Sequence, residues 1–267
     1  MIGIRKVGSA ARVVDLQARW GDRTTIIAGQ LAVLVIWLTA WEAVGRGDPL
    51  LLSYPTQVLG GLVTMIQTSE LQGLFLFTAR TFLIGWAIAA VAGLVFGSLI
   101  GAFRPVALMF EPFVNALYST PKIVLIPLMV LWFGIGLNAY VASVAIGAVF
   151  PMMIMTITGV RNAGREYVDV ARSFGVKGLQ LLWKVVVPGA LPFIFVGLRL
   201  SMGRAIGGAI AAEFFLGGGG IGGAVQAAGM AFASAQMYGL ILIIFGSVMA
   251  VDIGFRRLWS VLSPVRP

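Results

Sequence analysis

Four basic side chains lie inside otherwise apolar stretches of the sequence, namely Arg80, Lys122, Arg199 and Arg204. A charge at the centre of a bilayer costs about 2.5–3.5 kcal/mol, so such a residue normally faces a bundle interior or water. Several of them around one space would attract an anion. The alternative is that each one reaches the membrane surface, pairs with an acid or binds helix-end carbonyls, and for Arg199 we favour this alternative.

We therefore predict a cationic solute pathway lined by Arg80, Lys122 and Arg204. Lys122 is the most suggestive of the three, because it follows Pro121 in a segment where freed backbone groups can line a cavity. The indole of Trp132 is a further candidate for stacking on a solute, although packing or an interfacial position is the commoner role of tryptophan in membranes.

The sequence contains few of the side chains that enzymes use for catalysis. The 267 residues include no histidine and no cysteine, which excludes the commonest general base and thiolate chemistry. The phosphate-cradling pattern GxxxxGK[ST] is also absent from the sequence, so nucleotide is not bound in that way. We predict no catalytic, cofactor-binding or metal-binding residue in this chain.

The composition indicates an all-α, polytopic membrane protein. Hydrophobic residues make up 59% and charged residues only 11% of the chain, against about a quarter charged in soluble domains. The 35 glycines suit close helix packing in lipid. The net charge of +9 is explained by basic residues on one side of a membrane, so nucleic acid is not an expected partner and membrane lipid is.

A span of a bilayer needs roughly 20 apolar residues in a helix. Six segments qualify, and prolines predict that the third is broken. The segments are Thr25–Val44, Leu74–Phe103, Ala107–Phe133, Tyr140–Val160, Pro188–Phe215 and Gln236–Phe255.

The basic residues predict the orientation. Fourteen of them fall on one side of this arrangement and Arg46 alone on the other, which predicts that both termini are cytoplasmic. The predicted division is a cytoplasmic arm (1–23), a first membrane helix (24–46), an external segment (47–72), a core (73–257) with a cytoplasmic loop (161–187), and a cytoplasmic tail (258–267).

Two external segments attract attention. In the first, Val58, Leu62, Met65 and Ile66 have helical spacing and predict a short helix on the outer surface. The second is the glycine segment, Gly217–Gly223, which we interpret as a pliable turn between two helices. The alternative is a loop that contacts an external partner.

The cytoplasmic loop contains an amphipathic pattern. Arg165–Phe174 predicts a helix whose apolar face holds Tyr167, Val168, Ala171 and Phe174 and whose polar face holds Arg165, Glu166, Asp169 and Arg172. Gly175 is placed to end it, and a second helix, Gly178–Val187, is predicted to end at Pro188. Periodicity alone leaves two explanations open: the apolar face packs on this chain or on the membrane surface, or it docks into a groove on another protein.

The same loop resembles the signature of ABC-importer permeases, Glu-Ala-Ala-x-x-x-Gly, nine residues, then Ile-x-Leu-Pro. Here Asp169-Val170-Ala171 precedes Gly175 with the same spacing, and nine residues later comes Val185-Val186-Val187-Pro188. Asp replaces Glu, and valines replace the first Ala, the Ile and the Leu. The chain is most similar to the nitrate/sulfonate/taurine/bicarbonate branch, through segments 120–140 and 188–205 and through Ala212-Glu213.

The resemblance implies a type I importer permease that forms the pathway for a small anionic solute by alternating access. It also implies two cytoplasmic ATPase subunits that bind ATP and Mg, a second permease copy in a homodimer, and a periplasmic or lipid-anchored substrate-binding protein. The residues expected to couple to the ATPase are Arg165, Glu166, Tyr167, Asp169, Ala171, Arg172, Phe174 and Gly175.

Two other classes of function fit the spans. A stand-alone channel or a secondary transporter would use the same intramembrane charges and would not need a docking helix. A non-transport scaffold or enzyme is the third possibility, which the lack of histidine and cysteine disfavours.

Overall fold

The fold is described from a computed structural model of the chain, which describes residues 23–48, 52–67, 69–162, 165–176 and 178–262. The predicted cytoplasmic arm before Arg23 and the last five residues of the predicted tail lie outside these ranges. The chain divides into two compact units, residues 1–61 and 62–267, and each is described by itself.

In the first unit, helix α1 (Arg23–Gly47) leaves its apolar side chains exposed along most of its length, as a helix in lipid does. The segment after it folds back on its end. The indole Nε1 of Trp41 donates to the carbonyl oxygen of Ser53 at 3.1 Å, and the Glu42 carboxylate accepts from Arg46 at 2.9 Å and from the hydroxyl of Thr56 at 2.8 Å.

Helix α2 (Pro55–Gln67) confirms that the segment after α1 contains a short helix. Val58 and Met65 are buried, whereas Ile66 is exposed, so only part of the predicted apolar stripe faces protein.

The described residues of the second unit contain helices and no strand. The long helices are α3 (Glu70–Ala102), α6 (Leu137–Asn162), α9 (Val187–Leu216) and α11 (Ser234–Leu262). The shorter ones are α4 (Arg104–Ser119), α5 (Ile126–Phe133), α7 (Arg165–Ser173), the single turn α8 (Leu179–Leu181) and α10 (Ile221–Met230).

The core of this unit is α6, with α3 packed on one side and α9 on the other. Small residues recur every fourth position along α3, so they form one stripe of the helix. A Cβ added at Gly85, Gly93 or Gly97 would lie within 3 Å of an α6 side chain. The glycines therefore let the two backbones approach closely, as small residues do in membrane bundles.

The predicted broken span is confirmed. Helix α4 ends at Ser119, a 3₁₀ turn follows at Lys122–Leu125, and α5 begins at Ile126. The two parts are bent by 97°. Pro121 lies at the break, whereas Pro112 lies inside α4, so the break follows from the Pro121 region and not from every proline in the segment.

The prediction that a second loop helix ends at Pro188 is wrong. After α8, the chain forms a π-helical turn at Leu182–Val186 and runs directly into α9. Pro188 is the second residue of α9 and lies inside this continuous helical stretch. The wider π turn before it relieves the clash that a proline ring makes with a preceding carbonyl.

The count of membrane helices agrees with the sequence. Over the described ranges, five helices are long and apolar enough to cross a bilayer, and the bent pair makes six if it forms one span. The prediction of an all-α protein with about six spans is confirmed.

Candidate functional site

A cavity of about 520 Å³ lies where the broken span meets α6 and α9. The end of α4 and the 3₁₀ turn form one wall, and glycines of α6 and α9 leave space on the opposite wall, which also carries Arg204. Its lining residues are Tyr118, Ser119, Thr120, Pro121, Lys122, Ile123, Gly147, Gly203, Arg204, Gly207, Gly208 and Ala211. Two of the predicted pathway residues, Lys122 and Arg204, thus share one cavity.

The ammonium of Lys122 is held by backbone oxygens. Nζ donates to the carbonyls of Leu117 and Tyr118, both at 2.6 Å, and to that of Thr120 at 2.8 Å. A lysine ammonium has three donors, and the last carbonyls of a helix lack helical partners. Lys122 therefore caps the end of α4 and fixes a positive charge at the cavity wall.

Glu111, the acid that might have neutralised Lys122, has another partner. It forms an ion pair with Arg161 of α6 at 2.6 Å. Among the described residues that line the cavity there is no carboxylate side chain, so none of them cancels the charge of Lys122.

The guanidinium of Arg204 is different. This residue is exposed on α9, and within the described part of the chain it has no hydrogen-bond or ion-pair partner. Its five N–H donors form a planar fork that matches carboxylate, sulfonate or phosphate oxygens. Arg204 is thus the cavity cation with donors available to a solute.

The other predicted pathway residues lie elsewhere. Arg80 is exposed on α3 and does not line this cavity. Trp132 lines a separate, largely apolar cavity of about 550 Å³ with Ile88, Val141 and their neighbours. Arg199 pairs with Asp252 of α11 at 2.8 Å, in agreement with the alternative favoured for it.

Helix α7 lies before the start of α9, at the end opposite to the glycine segment, and it has exposed apolar side chains. Tyr167 is 73% exposed and Phe174 is 83% exposed. Val168 and Ala171 are half-buried on the side where α7 meets α8 and the π-helical turn. The predicted single apolar face is therefore divided: one part packs on this chain, and the other, joined by the exposed Val170, faces outward.

Gly175 ends α7, as predicted. Its φ is +79°, its N–H donates to the carbonyl of Arg172 at 2.9 Å, and the N–H of Val176 donates to that of Ala171 at 3.0 Å. These two bonds form a Schellman cap, which requires a left-handed residue at this position. Phe174 is thereby held at the tip of a rigid helix.

The polar side of α7 is only partly described. Asp169 and Arg172 are exposed and form no ion pair with the described residues. The side chains of Arg165 and Glu166 lie outside the described part of the structure.

A buried carboxylate, which the sequence analysis did not single out as a functional residue, holds the glycine segment. Glu213 of α9 has no exposed surface. It accepts from the hydroxyl of Thr78 at 2.9 Å, from that of Thr81 at 3.3 Å and from the N–H of Gly222 at 3.0 Å. The Thr78 hydroxyl in turn accepts from the N–H of Ile221 at 3.0 Å.

The glycine segment is a turn between two helices, as interpreted, because α9 ends at Leu216 and α10 begins at Ile221, but its glycines are closely surrounded. A Cβ at Gly218 would overlap the phenol of Tyr140, one at Gly220 the Glu213 carboxylate, and one at Gly222 the carbonyl of Ile210. The glycines are needed because other groups occupy their surroundings. The signal available in the sequence was the acid Glu213 just before the glycine run, with no basic residue near it.

Comparison with known proteins agrees with these features. Residues 89–264 match the family described as "Binding-protein-dependent transport system inner membrane component". The taurine transport system permease protein TauC of Escherichia coli is 31% identical over 260 residues, which cover 93% of each chain. The bicarbonate transport system permease protein CmpB of Synechococcus elongatus is 33% identical over 207 residues, or 72% of each chain.

The fold is also found in solved structures. An inward-facing structure of the MetNI methionine ABC transporter superposes with a TM-score of 0.65 at 20% identity, covering 74% of this chain and 98% of the other. An amino acid ABC transporter superposes with a TM-score of 0.61 at 18% identity, covering 75% and 96%. At this identity, the likeness concerns the fold alone.

The matched region contains the broken span, the Lys122–Arg204 cavity, the capped helix α7 and the glycine segment, and the prediction of an importer permease is confirmed. The chain belongs to the family of inner membrane components of binding-protein-dependent transport systems.

Proposed function

We propose that this permease carries a small anion and that Arg204 contacts it. The observation that supports this most directly is a cavity with two cations and no carboxylate side chain among its lining residues. The names of the relatives mention taurine, aliphatic sulfonates and bicarbonate, all of which have an anionic group.

The two cations have different roles in this proposal. Lys122 supplies a fixed positive potential, because its three donors are already bound to carbonyls. Arg204 supplies the hydrogen bonds, because its donors are not. A charge-assisted bond to an anion is about twice as strong as a neutral one.

Arg204→Gln tests this assignment, with Arg80→Gln as the matched control at another intramembrane arginine. Uptake of labelled taurine and bicarbonate by the reconstituted complex is measured. We expect Arg204→Gln to lower uptake about tenfold or more, the equivalent of one lost charged contact, with the Tm of the protein unchanged. The control should stay within about twofold. Equal losses in the two variants, or none in Arg204→Gln, would contradict the proposal.

We further propose that α7 docks into a groove of a separate cytoplasmic ATPase subunit, which binds the ATP and Mg. The supporting observation is that Tyr167 and Phe174 are bare on a helix whose tip is fixed by the Gly175 cap. Aromatic anchors of this kind commonly carry about 2 kcal/mol or more of an interface.

Phe174→Ala should therefore weaken binding of the ATPase about thirtyfold and uncouple ATP hydrolysis from uptake, with membrane insertion intact. The matched control is Phe232→Ala, which removes a phenylalanine that is 68% exposed in the segment after α10. Co-purification of the ATPase and solute-stimulated hydrolysis are the measurements. If Phe174→Ala binds the ATPase as the control does, α7 is not the docking element.

The proposed assembly is a homodimer with two ATPase subunits and an external binding protein, with both termini cytoplasmic. Gly203 and Gly207, which line the cavity, are exposed on α9, and this supports a second copy that covers them. Native mass spectrometry of the purified complex should show two copies of this chain. One copy beside a different permease would exclude the homodimer.

A further inference from the structure

The Arg161–Glu111 ion pair lies where the cytoplasmic loop leaves the bundle. Arg161 is the last residue but one of α6, and α7 begins four residues after it. Its guanidinium contacts the Glu111 carboxylate at 2.6 Å. The ion pair therefore joins the end of α6, from which the loop leaves, to α4.

Helix α4 runs from this ion pair to the cavity. It is continuous from Arg104 to Ser119, and Glu111 is about 9 Å along the helix axis from Leu117 at 1.5 Å per residue. The carbonyls of Leu117 and Tyr118 hold the ammonium of Lys122. The ion pair and the cap of Lys122 are thus at two points of one helix, with Pro112 between them.

The remaining contact between α4 and α6 is apolar. Ala107 and Val114 pack against Phe150, Met153 and Ile157 of α6. Apolar contacts are non-directional, so they permit sliding, whereas the attraction between two opposite charges falls as they move apart. The ion pair is the contact able to define the position of α4 along α6.

The surroundings of the pair suit a contact that breaks and re-forms. Its side chains are 38% and 31% exposed, and a cavity of about 290 Å³ lies beside it, with Asn115, Thr158 and Asn162 among its lining residues. Exposed ion pairs add little to stability. We therefore attribute to the Arg161–Glu111 pair a role in positioning α4 and not in stabilising the fold.

We propose that the Arg161–Glu111 pair is the link that transmits movement of the docking loop to α4, and so sets the position of Lys122 at the cavity. This inference rests on the proposed docking of α7. It makes Arg161 and Glu111 positioning residues, which act on the solute through Lys122 and do not touch it.

Ser119→Cys provides the readout, since the chain has no other cysteine and Ser119 lines the cavity at the end of α4. Its labelling rate is measured with a maleimide in the complete permease–ATPase complex, without nucleotide and with vanadate-trapped ATP. We expect the rate to change about tenfold between the two states, the size of a typical coupling between sites.

Glu111→Gln should abolish most of this change, and the charge exchange Glu111→Arg with Arg161→Glu should restore it. A merely structural role would not produce that rescue. Asp252→Asn is the matched control, because it breaks the Arg199 and Arg256 ion pairs on α9 and α11 without touching α4. It should retain the full change.

The outcomes separate this link from the docking on which it rests. A nucleotide response that persists in Glu111→Gln, or its absence from the parent protein, would overturn the link. A nucleotide response that is lost in Phe174→Ala but kept in Glu111→Gln would overturn the Arg161–Glu111 link and leave the docking of α7 intact. A response that survives Phe174→Ala would instead overturn the docking.

Discussion

The glycine segment and the loop around α7 lie at the two ends of α9. Both have distinctive sequences, but they differ in how far their residues are packed. The glycine segment is closed: a buried carboxylate holds its backbone, and neighbouring groups fill the space where its side chains would be. The loop around α7 is open, with Tyr167 and Phe174 bare. The comparison teaches that satisfied polar contacts fix the backbone within this chain, whereas exposed apolar surface marks a site where another protein binds.

Glycine serves a different purpose in each segment. Gly222 has a Cβ position that overlaps a helix carbonyl, whereas Gly175 has nothing within 4 Å of that position and a φ of +79°. The first is needed for close approach and the second for its backbone conformation. Substitutions in the two segments should therefore differ in size and in kind.

The largest effect on folding is expected from Gly222→Ala. Its methyl group would overlap the carbonyl of Ile210, and backbone cannot turn aside as a side chain does. We expect a loss of about 3 kcal/mol or more, at the upper end of overpacking costs, visible as a lower Tm and poor recovery on size exclusion. Gly246→Ala, in a helix with no atom within 4 Å of the new methyl group, is the matched control and should not lower the Tm. Equal Tm values for the two variants would show that the glycine segment is pliable after all.

The next largest effect should follow Glu213→Leu. The leucine fills similar space but leaves the N–H of Gly222 without its acceptor, and a buried donor without a partner costs about 1–3 kcal/mol. Glu213→Gln retains one carbonyl oxygen for Thr78 and Gly222, so it should lose less. Thermal unfolding of the purified protein compares the two. If both variants lose the same stability, the carboxylate is not the group that holds the segment.

A smaller effect is expected from Gly175→Ala. There is room for the methyl group, so the cost is the left-handed backbone alone, about 1–2 kcal/mol for a residue with a Cβ. Gly175→Asn should cost less, because asparagine tolerates this conformation. Gly175→Pro should be the most disruptive of the three, since it removes the N–H bonded to Arg172 and fixes φ near −65°. Thermal unfolding would rank them, and equal Tm values for the Ala and Pro variants would argue against the cap.

Much of the fold was predictable from the sequence. The six apolar segments, the break near Pro121 and the end of α7 at Gly175 depend on runs of neighbouring residues, and all three are confirmed. The prediction that the second loop helix ends at Pro188 was wrong. Proline occurs both in the first turn of a helix and just after the last turn of one, and the local sequence does not distinguish the two positions.

The candidate site was predictable only in part. The sequence placed Arg80, Lys122 and Arg204 in spans but gave no way to tell which of them share a space. Only Lys122 and Arg204 line one cavity, and only the structure shows that the first is bound by carbonyls. The roles of Arg204 and Phe174 are predictions that the variants above test, and the role of Trp132 stays a prediction.

The sequence by itself determined that this chain is a membrane protein of the importer permease family. Three properties can be read from the order of residues without knowing how the helices pack. They are the hydropathy, the asymmetry of basic residues and the spacing from Asp169 to Pro188. The tertiary structure decided which groups meet: Thr78 with Glu213, 135 positions apart, and Glu111 with Arg161 instead of Lys122. Such pairings depend on the rotation and crossing of whole helices, which the many small residues on their faces permit in more than one way.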